Sequence, residues 1–303
     1  MKLKIKPKIL VIVGPTASGK SALAIKIAQK FDGEIVSADS RQVYKGMDIG
    51  TAKPSRKEIA AVPHHIINIK NSDENYTVSE YKRDAVKVIN KILKNKKLPI
   101  LVGGTGLYIK AVIDNLYIPK VAPDPKLRKK LEKEIEKYGL NFVFNKLIKL
   151  DPEAAYIVDP NNPRRIIRAL EIAIKTKKPF SAQRQSGKPI FDFLEIGIGA
   201  SQRELNDRIN KRVDLMIKTG LMEEVKNLTK KYGTKQQSFD AIGYREIIGY
   251  LDGKITFKEA VELIKKNTRN YAKRQMTWFR KDVRICWINH PEQAEKLVAK
   301  FLS

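Results

Sequence analysis

The chain has 303 residues, 42% of them hydrophobic, enough for a real core in one large domain or two small ones. Its 60 Lys and Arg against 33 Asp and Glu leave a formal net charge of +27, which points to a polyanion, nucleic acid or membrane surface; a general lysine-rich bias is the competing explanation. One cysteine excludes a disulfide framework and a Cys-ligated metal site, the three histidines lack ligand spacing, and no run is long enough to cross a bilayer. The start MKLKIKPKILVIVG has too short an apolar run, and no cleavage site, for a signal peptide. The expectation is a soluble, cytoplasmic monomer without a membrane partner, with Cys286 buried and inert in the apolar run RICWIN.

In chain order, KILVIVG (8–14) reads as a buried strand, and SALAIKIAQKF after the glycine loop as a helix. GEIVSAD (33–39) is a second strand and HHIINI (64–69) a third. TVSEYKRDAVKVINKILKN has helical spacing at Tyr81, Ala85, Val88 and Ile92, with Ser79 as its cap. LPILVGG (98–104) is a fourth strand. Proline punctuation in IPKVAPDP then opens a stretch of helical patterns without strands, ending near Pro189. FLEIGIGA (193–200) returns to buried strand, and the remainder is mostly helical before the strand-like VRICWIN. Strands alternating with helices predict an α/β fold, a P-loop NTPase or kinase-like parallel sheet. The expected domains are 1–118 with 191–303 as the catalytic core, and 119–190 as a helical insertion. Ligands of such sheets bind beyond the carboxyl ends of the strands, where Gly14, Asp39 and Gly103-Gly104-Thr105 all fall.

The strongest local motif is GPTASGKS, Gly14, Pro15, Thr16, Ala17, Ser18, Gly19, Lys20 and Ser21. Strand, glycine loop and helix occur together, so backbone amides and a helix N-terminus make a pocket for a diphosphate. Lys20 would neutralise phosphate oxygens and Ser21 would ligate Mg²⁺. Most chains with this loop bind nucleotides, ATP among them, and a kinase is the first rival reading. Asp39, at a strand end beside the loop, can hold metal through water, orient a nucleophile or accept a proton; a turn-capping role competes.

GPTASGKS, SADSRQVYKGMDIGTAKP, LVGGTGLYIKA, NPRRIIRALE, AIGYREI and YAKRQMTWFR, in this order, resemble the bacterial tRNA dimethylallyltransferases, also called isopentenyl-tRNA transferases. The resemblance runs from the first strand to beyond Trp278, and no Cys/His pattern like the zinc finger of eukaryotic members follows. It implies transfer of a dimethylallyl group from dimethylallyl diphosphate, with Mg²⁺, to the exocyclic amine of the tRNA adenosine just 3′ of the anticodon. It further implies that Asp39 accepts the amine's proton, that Thr105 sits at the catalytic centre, and that Arg212 helps to hold the diphosphate. Ser40, Arg41 and Gln42 match a tRNA-contacting loop, and Arg128 a further contact. The segments Arg164, Arg165, Ile166, Ile167, Arg168 and Asp240, Ala241, Ile242, Gly243, Tyr244, Arg245 match others. A stacked adenine must be extruded to be alkylated, and basic residues along the stem supply affinity. Arg164 and Arg168 share a helix face at i, i+4 spacing, with a solvated face as the plainer explanation. In 265–284 the aromatics Tyr271, Trp278 and Phe279 read as core before they read as base-stacking platforms.

Overall fold

The computed structural model describes residues 6–119, 121–183 and 185–303, which fall into two compact units. The larger comprises the residues up to Ile113 together with Ile190–Ser303. Its elements are β1 (Lys8–Val13), α1 (Lys20–Lys30), β2 (Gly33–Ser37), α2 (Arg56–Ala61), β3 (His64–His65), α3 (Val78–Lys94), β4 (Leu98–Gly103) and α4 (Gly106–Ile113). After the insertion, whose helices are α5–α8, come β5 (Asp192–Ile198), α9 (Gln202–Lys218), α10 (Leu221–Tyr232), α11 (Tyr244–Leu251), α12 (Phe257–Phe279), β6 (Cys286–Ile288) and α13 (Pro291–Leu302).

All strands pair in parallel, in the order β3-β2-β4-β1-β5-β6. A parallel sheet covered on both faces needs strands apolar throughout, and β1, β2 and β4 are buried almost end to end. One face packs against residues of α3, α4 and α9–α12, including Tyr81, Ile109, Ile209 and Ile264; the other meets Leu23 and Ile27 of α1 and Val298 of α13. Because β4 lies between β2 and β1, the ends of these three strands open on one edge of the sheet.

Three expectations change on this frame. The strand at 64–69 shrinks to His64–His65, because Ile66 and Asn68 take φ of 61° and 56°, left-handed values that an extended ladder cannot hold. The cap of α3 is Thr77, not Ser79: Thr77 Oγ1 accepts from Glu80 N at 3.2 Å and Glu80 Oε2 accepts from Thr77 N at 2.9 Å. Cys286 is exposed rather than buried, since β6 is a three-residue edge strand whose only inward side chain is Ile288.

The second unit, Asp114–Pro189, is helical: α5 (Pro125–Tyr138), α6 (Leu140–Leu150), α7 (Ala154–Ile157) and α8 (Pro163–Thr176). It starts at Asp114 because its two ends pair: Gly187 N donates to Asn115 O, and Tyr117 N to Gln185 O. Asp-Pro and Asn-Pro open α5 and α8, with Asp124 and Asn162 accepting from Leu127 N and Arg165 N. Leu131, Val143, Leu147, Ile166, Ile167 and Leu170 make its own core.

Candidate active site

The phosphate loop runs from the end of β1 into α1. Gly19 caps the helix with φ 94°, and Ala17 also takes a left-handed φ, 63°. Thr16 N donates to Gln275 Oε1 at 2.8 Å, and Gln275 Nε2 donates to Gly104 O at 2.8 Å. Gln275 of α12 thus ties the loop to the end of β4. Gly104 leaves room for this bond, since a Cβ there would stand 2.2 Å from Gln275 Nε2; Gly103 is required, because a Cβ would stand 2.1 Å from the carbonyl oxygen of Ala38. That close approach brings β4 beside Asp39. Asp39 Oδ1 accepts from Arg41 N at 2.8 Å and from Gln42 N at 3.3 Å, so one carboxylate oxygen shapes the turn, as the plainer reading had it. Thr105 Oγ1 accepts from Ser40 N at 3.2 Å.

Two cavities adjoin at these residues. One, of about 260 Å³, is lined by Gly19, Lys20, Ser21, Gln42, Gln275 and the ends of β2 and β4. The other, about 300 Å³, is lined by Ser40, Arg41, Asp240, Ile242, Arg245 and Arg274 among others. Thr16, Asp39, Thr51, Ala52, Arg212 and Tyr271 line both. The first is cationic. Lys20 Nζ donates only weakly, to Pro15 O at 3.2 Å, and Arg212 Nη1 donates to Thr16 Oγ1 at 3.2 Å. Burial lowers the Lys20 pKa to about 8, Asp39 opposing and Arg212 adding to the drop; burial also lowers that of Arg212. Burial, and then the charge of Asp39, push the Tyr271 phenol up to about 12, so it stays a neutral donor.

Not every anticipated residue faces a cavity. Gly14, Pro15, Ser18 and Thr105 lie behind the lining, and the Ser18 hydroxyl is buried without a partner among the described residues. Gln42 braces the following loop through Thr51 O and Ala52 O, and Arg41 Nη1 donates to Gln237 O and Ser238 O. Tyr244 is fully buried and stands behind the lining, while Asp240, Ala241, Ile242, Gly243 and Arg245 of that segment all border the cavity, Ala241 and Gly243 with little exposed surface. In the insertion, Ile166 and Ile167 are core residues and not tRNA contacts, since an amphipathic helix buries one face. Arg128 and Arg168 are partly exposed but already paired. Arg128 Nε and Nη2 donate to the fully buried Glu171 carboxylate at 2.8 and 2.7 Å, Arg168 Nη1 donates to the same group, and Asp124 N adds a bond at 2.7 Å. Sequence reasoning missed Gln275 and read Tyr271 as core first; their i, i+4 spacing and the glycines opposite were the available signals.

For a metal the donor set is sparse. Among the described residues no three His, Cys, Asp or Glu cluster, but the Ser21 hydroxyl and the Asp39 carboxylate line the same cavity. That fits Mg²⁺, which keeps several waters and takes most other ligands from a substrate's phosphates. Also among the described residues, no helix is long and apolar enough to cross a membrane.

Comparison with known proteins agrees with this geometry. Residues 42–282 match the family model described as IPP transferase. A tRNA dimethylallyltransferase of Acetivibrio thermocellus is 48% identical over 288 residues, 94% of this chain and 92% of that protein. The full-length tRNA isopentenylpyrophosphate transferase of Bacillus halodurans superposes with a TM-score of 0.73 at 41% identity, covering 98% of this chain and 96% of that one. A eukaryotic dimethylallyltransferase acting on tRNA gives 0.74 at 30% identity, over 95% of this chain and 75% of that one. With a parallel P-loop-like sheet, the strand-end site and similarity along nearly its whole length, this chain belongs to the IPP transferase family.

Proposed function

We propose that the protein transfers a dimethylallyl group from dimethylallyl diphosphate to the exocyclic amine of the tRNA adenosine just 3′ of the anticodon, releasing diphosphate. The observation that carries this reading is the shared wall of the two cavities: Asp39 and Arg212 face both. A proton acceptor and a phosphate-binding cation therefore stand where an entering amine would meet a departing diphosphate. The amine nitrogen forms its bond to the terminal allylic carbon as that carbon's bond to the diphosphate oxygen breaks. Asp39 takes the proton, and the leaving group gathers charge against Lys20, Arg212 and the amides of 16–21. Ser21 would hold Mg²⁺, which when bound neutralises charge on the diphosphate. Thr105 fixes the turn beside Asp39, and Tyr271, Ser40, Asp240, Ile242 and Arg245 line the space for an extruded base.

The test is to incubate the protein with Mg²⁺, dimethylallyl diphosphate and unmodified bulk tRNA and weigh the nucleosides by mass spectrometry. Prenylated adenosine is the expected product. Phosphoryl transfer from ATP with no prenylated adenosine would make the loop a kinase site, and prenylation of free AMP but not tRNA would move the acceptor.

A further inference from the structure

Residues 46–54 form neither helix nor strand, yet Thr51 and Ala52 stand in the wall between the two cavities. Irregular backbone is placed by whatever its polar groups bond to. Here three successive amides converge on one side chain of α10. Glu224 Oε2 accepts from Asp48 N at 2.9 Å and from Ile49 N at 2.7 Å; Oε1 accepts from Gly50 N at 3.1 Å and from the Tyr244 hydroxyl. Consecutive amides turned to one point form a concavity for an anion, and the carboxylate fills it. The fit is tight: a Cβ at Gly50 would stand 2.5 Å from the Tyr244 ring. From the other side Lys53 Nζ donates to Tyr44 O at 2.8 Å and to Asn68 Oδ1 at 2.6 Å, and Gln42 holds the carbonyls of Thr51 and Ala52.

We propose that Glu224 is a positioning residue: it is the internal anion around which the 48–50 amides fold, and through them it sets where Thr51 and Ala52 stand between the diphosphate and nucleobase cavities. The identities of the two cavities rest on the function proposed above. Bonds to a carboxylate are roughly twice as strong as neutral ones, so one side chain can hold a loop that has no regular structure. Tyr244 stays a donor to it, its phenol raised by burial and by the charge of Glu224.

Glu224→Gln keeps the shape but removes the charge, and its amide nitrogen must turn a donor towards a donor. In the full chain, hydrogen exchange at the 48–50 amides should quicken about tenfold or more, while exchange along β1 stays the same. The Michaelis constant for dimethylallyl diphosphate should rise about tenfold, with turnover at saturating donor and tRNA affinity each within about threefold of wild type. Tyr244→Phe, which removes one bond of four, should fall between. Unchanged exchange and kinetics in Glu224→Gln would overturn the proposal. So would a uniform loss of all activity in proportion to unfolded protein, the mark of mere scaffolding. A wild-type protein that prenylates no tRNA sinks the functional reading instead, and the exchange rates still decide whether Glu224 holds the loop.

Discussion

Lys20 and Arg212 in the α/β unit, and Arg128 and Arg168 in the insertion, are all half-buried cations with opposite surroundings. Among the described residues neither Lys20 nor Arg212 has a carboxylate within ion-pair distance, and their nearest hydrogen bonds are long. Arg128 and Arg168 instead share the buried Glu171. Burial alone would raise that carboxyl; the bonds from Arg128, Asp124 N and Arg168 outweigh it and hold the group at about 2. A desolvated charge left unmatched costs stability and is retained where an anionic ligand will match it, whereas a matched charge is architecture. Residue type and exposure do not distinguish the two cases; the partner does.

The sharpest attempt to break this contrast is at the acid of the crevice. Asp39→Asn retains an oxygen for Arg41 N and Gln42 N, so the turn should survive while the base is lost. Single-turnover prenyl transfer should slow about 10²- to 10⁴-fold with tRNA affinity nearly unchanged. Near-normal transfer would leave Asp39 only its turn.

Next in size, Glu171→Gln should destabilise the protein by about 3 kcal/mol in denaturant unfolding. That is the low end for a broken buried pair, because the arginine side chains are 36% and 34% exposed. Since the folded carboxyl is held below its unfolded value of 4.5, this stabilisation is complete above that pH and lost as pH falls towards about 2. A variant as stable as wild type would make the insertion's arginines equivalent to those of the crevice.

Lys20→Met should do the reverse at the site. The folded ammonium titrates near 8 against 10.5 unfolded, so below pH 8 its burial opposes folding, and stability gained from its deprotonation accrues between those values. Removing it should stabilise the ligand-free protein at neutral pH by about 1–2 kcal/mol while crippling donor use. In the wild type, kcat/KM for the donor should fall as pH rises through about 8. A melting point that drops in Lys20→Met would deny that the charge is held in reserve.

The smallest effect belongs to the exposed bases of the insertion. Lys126, Lys129, Lys133 and Lys137 line one side of α5, and Arg165 is exposed on α8. Changing Lys129, Lys133 and Arg165 to Ala should lower the log–log salt slope of tRNA binding by about one per phosphate contact, leaving the rate at saturating tRNA intact. Arg168 is kept, since it holds Glu171. An unchanged slope would remove these side chains from the tRNA surface.

What the sequence determined by itself was local: the β1–glycine loop–α1 unit, strands whose ends carry Asp39 and Thr105, and the apolar periodicity of the insertion's helices. Each is written within a few residues, by hydrophobic period, glycine and caps. The family was legible too, because its motifs are contiguous. Tertiary structure alone decided the partners. Thr16 meets Gln275 259 residues away, the loop at Asp48 meets Glu224 at a separation of 176, and Arg128 meets Glu171 at 43. It also broke the strand at Ile66 and turned Tyr244 and Ile166 inward. A side chain's charge is fixed by its type, but whether that charge stays available for a ligand depends on which distant segment the fold packs against it.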